Sequence, residues 1–222
     1  MKTLLNIICS KKVKYSLILI ILLAIYIFIS ASSYVTAISS DLEDSIFRLH
    51  VLANSDSEED RNLKYIVRDN LIEYMNTICA NTKNKQEAIE IAKEHTDEFY
   101  KIAKQTIIDN GYNYDVNVEI GNFAFPTKTY GDISIPAGSY DALRVKIGKA
   151  EGQNWWCVMF PPLCFVNVSS GIVPDESKKI LEDELSDEEY SIISDTDTNS
   201  QIKFKFKIIE LLQNTNILTA KK

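Results

Sequence analysis

The chain has 222 residues, with 24 Lys plus Arg against 31 Asp plus Glu and a net charge of −7. That length suits one globular domain with a modest appendage, and the acidic balance argues against nucleic acid or an anionic membrane face as the main ligand, since both demand a basic surface. Lys2, Lys11, Lys12 and Lys14 have no acidic counterpart before Asp41, so the part beyond them carries −11.

The appendage is the run YSLILIILLAIYIFISA from Tyr15 to Ala31, which contains no charged residue. As a helix it would be about 25 Å long, at the short edge of what spans a hydrocarbon core of about 30 Å. Two readings stay open for residues 1–37: a cleaved secretory signal, with Val35 and Ala37 at the small-residue spacing of a cleavage site, or an uncleaved N-terminal membrane anchor. Under both, the lysines hold the N-terminal side in the cytoplasm, and residues 38–222 form one exported domain.

In that domain, SIFRLHVLANSD alternates Phe47, Leu49 and Val51 with Arg48 and His50, the period of a half-buried strand. SDSE, from Ser55 to Glu58, has capping-box spacing and opens a helix. Leu63, Ile66, Val67, Leu71, Tyr74, Met75 and Ile78 form its apolar stripe. A second amphipathic helix is predicted from Lys85 to Asp109, with Ala88, Ile91, Ala92, His95, Phe99, Ile102, Ala103 and Ile107 on one face and Asn110-Gly111 as its stop. The two helices suit an antiparallel pair.

The pattern then turns to strands: Val116, Val118 and Ile120 alternate, as do Leu143, Val145 and Ile147, and NWWCVMF is apolar enough for a buried strand. Between them FPTKTYGDISIPAG, punctuated by Pro126, Gly131, Pro136 and Gly138, reads as a twisted edge or a loop over the sheet. Farther on, Lys178 to Leu185 suits a short helix, and KFKFKIIELLQN begins as a strand and ends like a helix. The order predicts an α+β fold, a single domain with two long amphipathic helices packed on a mostly antiparallel sheet, preceded by the N-terminal membrane or signal segment.

NWWCVMFPPLC, residues 154–164, gathers both tryptophans, two of the four cysteines and a proline pair, and it admits three readings. In the first, Cys157 is a nucleophile, His50 its base, and Asn54 or Asp56 orients the imidazole; a thiol acts only as thiolate and needs such a neighbour. In the second, Cys157 pairs with Cys164, which export permits, provided the prolines turn the strand back. In the third, the stretch is a rigid surface, because neighbours on a strand face opposite sides and an outward tryptophan beside prolines makes a contact anchor. Cys79 reads as a buried small hydrophobe and His95 as a packing residue. No ligand set suggests a metal, and the absence of a P-loop, a Gly-x-Gly-x-x-Gly or a metalloprotease helix motif leaves no cofactor indicated.

RLHVLANSDSEEDRNLKYIVRD, from Arg48 to Asp69, and FPTKTYGDISIPAGSYDALRVKIGKAEGQNWWCVMFPPLCFV, from Phe125 to Val166, together with the N-terminal segment, closely resemble the stage II sporulation protein R family. The resemblance covers about residues 45 to 168, and the last fifty residues match more loosely. It implies a messenger of endospore formation, exported across the forespore membrane into the intermembrane space. Its partner there would be a membrane-embedded aspartic protease, stage II sporulation protein GA, which removes the pro-sequence of sigma-E in the mother cell. For such an activator Trp155, Trp156, Phe160, Pro161 and Pro162 are the expected partner-binding residues. The alternative is a Cys157-dependent hydrolase acting on a peptide or cell-wall substrate in the same space.

Overall fold

The alternation of FRLHVL is realised in a strand that lies inside the sheet, with neighbours on both sides. The computed structural model describes residues 11–164, 173 and 175–194. Its elements are α1 (Lys11–Ser45), β1 (Phe47–Leu52), α2 (Glu58–Ile78), α3 (Lys85–Glu94), α4 (Thr96–Asp109), β2 (Val116–Phe125), β3 (Lys128–Tyr130), β4 (Ile133–Ile135), β5 (Gly138–Ile147), β6 (Asn154–Phe160), α5 (Asp175–Glu184) and α6 (Asp187–Ser194). The strand and helix expected within residues 203–214 lie outside the described residues.

The chain divides into two units, Met1–Ser40 and Asp41–Lys222. In the first, the consecutive residues Ile18, Leu19, Ile20 and Ile21 of α1 are each more than half exposed, so apolar side chains point outward all around the helix. Among the described residues no helix is long and apolar enough to cross a membrane.

The second unit is α+β. Its four-stranded sheet has the order β2-β5-β1-β6. The ladders β2–β5 and β1–β6 are antiparallel, but β1 runs parallel to β5, with Leu49 opposite Leu143. The sheet is therefore mixed: two of its three ladders are antiparallel, in line with the mostly antiparallel expectation, and the central β1–β5 ladder is the parallel exception. A parallel pair needs a long crossover, and α2, α3 and α4 lie within the connection that supplies it. Phe47, Leu49 and Val51 join Leu143, Val145, Ile147, Cys157 and Met159 in one core with Leu63, Val67, Leu71 and Met75 of α2 and Phe99, Ala103 and Ile107 of α4.

Two helical expectations are corrected. The second helix is broken: His95 leaves helical geometry at φ −101 and ψ 14 and ends α3 as α4 begins. Its ring Nδ1 lies 2.6 Å from the Tyr74 hydroxyl, which ties the break to α2. The cap of α2 is Ser57 rather than Ser55, accepting from the Asp60 amide at 3.1 Å. Ser55 and Asp56 are used elsewhere, Ser55 donating to Asp60 Oδ2 and Asp56 accepting from the Gln153 amide at 2.7 Å. The proline- and glycine-rich stretch forms its own two-stranded ladder, β3–β4, turning at Gly131 with φ 58.

Asp60 is buried in the first turn of α2 and accepts from Asn54 Nδ2 at 2.8 Å and Ser55 Oγ at 2.5 Å. Burial pushes its carboxyl up, but hydrogen bonds from Ser55, Asn54 and Tyr114 outweigh it and hold the group below its ordinary value. Stability from this carboxylate is present above the unfolded-state value and is lost as pH falls through the folded one. Asp60→Asn should cost about 2 kcal/mol at neutral pH, measured by urea unfolding, and the difference from wild type should shrink in acid.

Candidate functional site

The β1–β6 register decides which of the candidate residues can meet. Cys157 stands opposite Leu49, and Trp156 opposite His50. Paired residues share a face and neighbours alternate, so Cys157 lies on the helix-covered face and His50 on the other. The thiol and imidazole of the hydrolase reading are therefore held apart by the sheet. Cys157 is also bonded to Cys164, with Cα atoms 5.4 Å apart, and a disulfide sulfur is no thiolate. The strand turns back after a cis Phe160–Pro161 bond, and the Leu163 amide donates to the Val158 carbonyl at 3.2 Å.

Neither proposed orienting residue touches His50 through a described hydrogen bond. Asn54 Oδ1 accepts from the Lys149 amide at 3.0 Å while its Nδ2 donates to Asp60. With Asp56 bonded to Gln153, both side chains tie the β1–α2 loop to the β5–β6 turn. Their work is structural, which corrects the catalytic assignment of Cys157, His50, Asn54 and Asp56 as one group.

The tryptophans part in the same way. Trp155 packs on the helix side, edge-on to Tyr65 with ring centroids 5.5 Å apart and with the Arg68 guanidinium 4.2 Å from its ring. Trp156 faces the opposite side, stacked on His50 at 3.7 Å and edge-on to Phe125 at 4.7 Å. Phe160 and Pro161 are buried and Pro162 half-buried. Consequently Trp155, Trp156, Phe160, Pro161 and Pro162 do not form one docking surface. A separate groove of about 580 Å³ runs beside the disulfide, lined by Asp69, Ile72, Glu73, Asn76, Thr77 and Cys164.

The face bearing His50 holds a buried cluster where the alternation predicts only a half-buried strand. Arg48 is 0% exposed. Its guanidinium sits 4.1 Å from the Phe125 ring and 4.8 Å from the Tyr140 ring, and Nη2 donates to the Tyr130 hydroxyl at 2.9 Å. Its Nε and Nη1 have no hydrogen-bond partner among the described residues. Tyr130 in turn donates to the Trp156 carbonyl at 3.1 Å, so the β3–β4 hairpin roofs this end of the face. His50 Nε2 lies 2.8 Å from Asn154 Oδ1. A carbonyl oxygen can only accept, so Nε2 carries the proton and Nδ1, buried and unpartnered, presents a lone pair.

Toward the other end Arg144 and Lys146 both reach Glu119 Oε1 at 2.7 Å, and Arg144 lies 3.7 Å from the Phe123 ring. Burial lowers the His50 pKa to about 4, with the charges of Arg144, Lys146 and Arg48 pushing the same way and the Asn154 hydrogen bond opposing. The imidazole is therefore neutral at physiological pH. The period-2 alternation did place Arg48 and His50 together. What it could not give is Tyr130, which is 82 positions away along the chain.

Residues 43–170 match the family model described as Stage II sporulation protein R (spore_II_R). Stage II sporulation protein R of Bacillus subtilis (strain 168) is 33% identical, over 73% of this chain and 83% of that protein. No solved structure matches.

Below pH 6.5 an unfolded histidine takes up a proton that folded His50 resists until about pH 4, so the unfolded state gains ground as pH falls through that window. Stability should drop by up to roughly 1 kcal/mol per pH unit there, and His50→Gln should flatten the slope in urea titrations. Reducing the disulfide, whose cysteines are 7 positions apart, should cost about 2 kcal/mol, read as a lower unfolding midpoint with and without a thiol reductant.

Proposed function

The chain belongs to the stage II sporulation protein R family, and from that premise we propose that it is an exported messenger of endospore formation. It crosses the forespore membrane and activates, by binding, the membrane-embedded aspartic protease stage II sporulation protein GA, which then processes pro-sigma-E in the mother cell. The observation that favours binding over chemistry is the position of Cys157, bonded to Cys164 on the face of the sheet away from His50. A nucleophile and base so placed have no route to each other.

The export part of the proposal rests on the N-terminal lysines, the uncharged run from Tyr15 to Ala31 and the disulfide. Lysines flanking an apolar segment hold that flank in the cytoplasm, and a disulfide suits a compartment outside it. A ligand activates an enzyme only through higher affinity for the active form. For an aspartic protease whose two half-sites come from two subunits, that form is the dimer in which the half-sites meet.

The test is processing of pro-sigma-E in a non-sporulating host that makes the protease, with and without the full chain. We expect processing to require the chain and to survive Cys157→Ser combined with Cys164→Ser, scaled to the amount of folded protein. No processing with the chain present overturns the activator role. Complete loss in a double variant that is folded overturns binding in favour of chemistry at the cysteines.

A further inference from the structure

The face that carries Arg48 and His50 is cationic on an acidic protein. Arg48, Arg144 and Lys146 share it with neutral His50, and Glu119 supplies a carboxylate to two of the cations. Of the other acidic groups near by, Glu43 accepts from the Ser139 amide at 3.1 Å and Asp132 pairs with Lys178. Among the described residues nothing pairs with Nε and Nη1 of Arg48, 0% exposed, or with Nδ1 of His50, 6% exposed. Buried polar groups of this kind, the two arginine donors above all, are costly to leave unpaired.

The cations are spaced regularly. Arg144 lies level with His50, and Lys146 with Leu52, on parallel neighbouring strands. Arg48, Arg144 and Lys146 therefore stand at successive two-residue steps along the strand direction, about 7 Å apart and about 13 Å in all. A single small carboxylate cannot span that distance. An extended polypeptide with acidic side chains at every second position repeats at the same interval.

We propose that this face of the sheet binds an extended acidic segment of a partner polypeptide, its alternating carboxylates meeting Lys146, Arg144 and Arg48 in turn. Entry is from the Lys146 end, where Arg144 and Lys146 keep 25% and 35% of their side-chain surface exposed. At the closed end the carboxylate displaces the Tyr130 hydroxyl from Arg48, and the β3–β4 hairpin lifts. Phe123, Phe125 and Trp156 make the aromatic floor, and the low-dielectric setting strengthens each charge pair.

The experiment follows the His50 ring by NMR in the full chain held in detergent micelles. It is titrated with a blocked peptide alternating glutamate and serine, with the glutamine counterpart, and with free glutarate. We expect a saturable shift with the glutamate peptide, weakened by raised salt, and none with the glutamine peptide. Arg144→Ala combined with Lys146→Ala, at partly exposed positions that leave the core intact, should weaken binding about ten-fold. Absence of a saturable shift overturns the proposal, as does equal affinity in the double variant. A response to glutarate matching that to the peptide also overturns it, assigning the face to a small carboxylate instead. No protease enters this measurement, so its failure leaves the activator role standing, and failure of pro-sigma-E processing leaves this site standing.

Discussion

Everything in the second unit depends on β1 being buried on both of its faces. Phe47, Leu49 and Val51 are 0% exposed against the helices, and Arg48 and His50 are 0% and 6% exposed on the reverse. A strand so enclosed cannot slip by one residue, because the slip would drive an arginine and a histidine into the helical core. The register in turn sets the partners on β5 and β6. Thus Cys157 goes with Leu49, Trp156 with His50 and Arg144 with His50, and no other arrangement of these chemically costly residues is compatible with the core.

The buried arginine has a rationale in its surroundings. Two aromatic rings within 5 Å of the guanidinium offer quadrupole attraction of about 0.5 to 2 kcal/mol each. Taking a cation out of water costs several kcal/mol, so rings and a single tyrosine hydroxyl offset it in part. That imbalance gives the same face its attraction for added negative charge.

Much of this architecture was legible in the chain. The alternation in FRLHVL placed β1, the stripe from Leu63 to Ile78 placed α2, and Val116, Val118 and Ile120 placed β2. These signals are local, and local periodicity is what a sequence displays directly. What was not legible is non-local. The parallel β1–β5 pairing depends on strands about 94 positions apart in sequence, and the roof over Arg48 depends on Tyr130. The break at His95 escaped notice because both halves keep the same apolar period across it. The cap is Ser57 rather than Ser55 because the Ser55 hydroxyl is engaged by the Asp60 carboxylate and the Ser57 amide. At the candidate site, adjacency of Trp155 and Trp156 suggested one surface, whereas the pleat separates adjacent side chains by construction.

Among the described strands β6 lies at the edge of the sheet, where unpaired backbone groups would invite another strand. Two of its outward carbonyls are already committed: Trp156 accepts from Tyr130, and Val158 from the Leu163 amide. The disulfide pins the segment that carries Leu163, so the blocking donor stays in place as long as the cysteines are oxidised. Oxidation thus guards against aggregation through this edge. Reducing the bond would leave the Val158 carbonyl less securely covered at that edge.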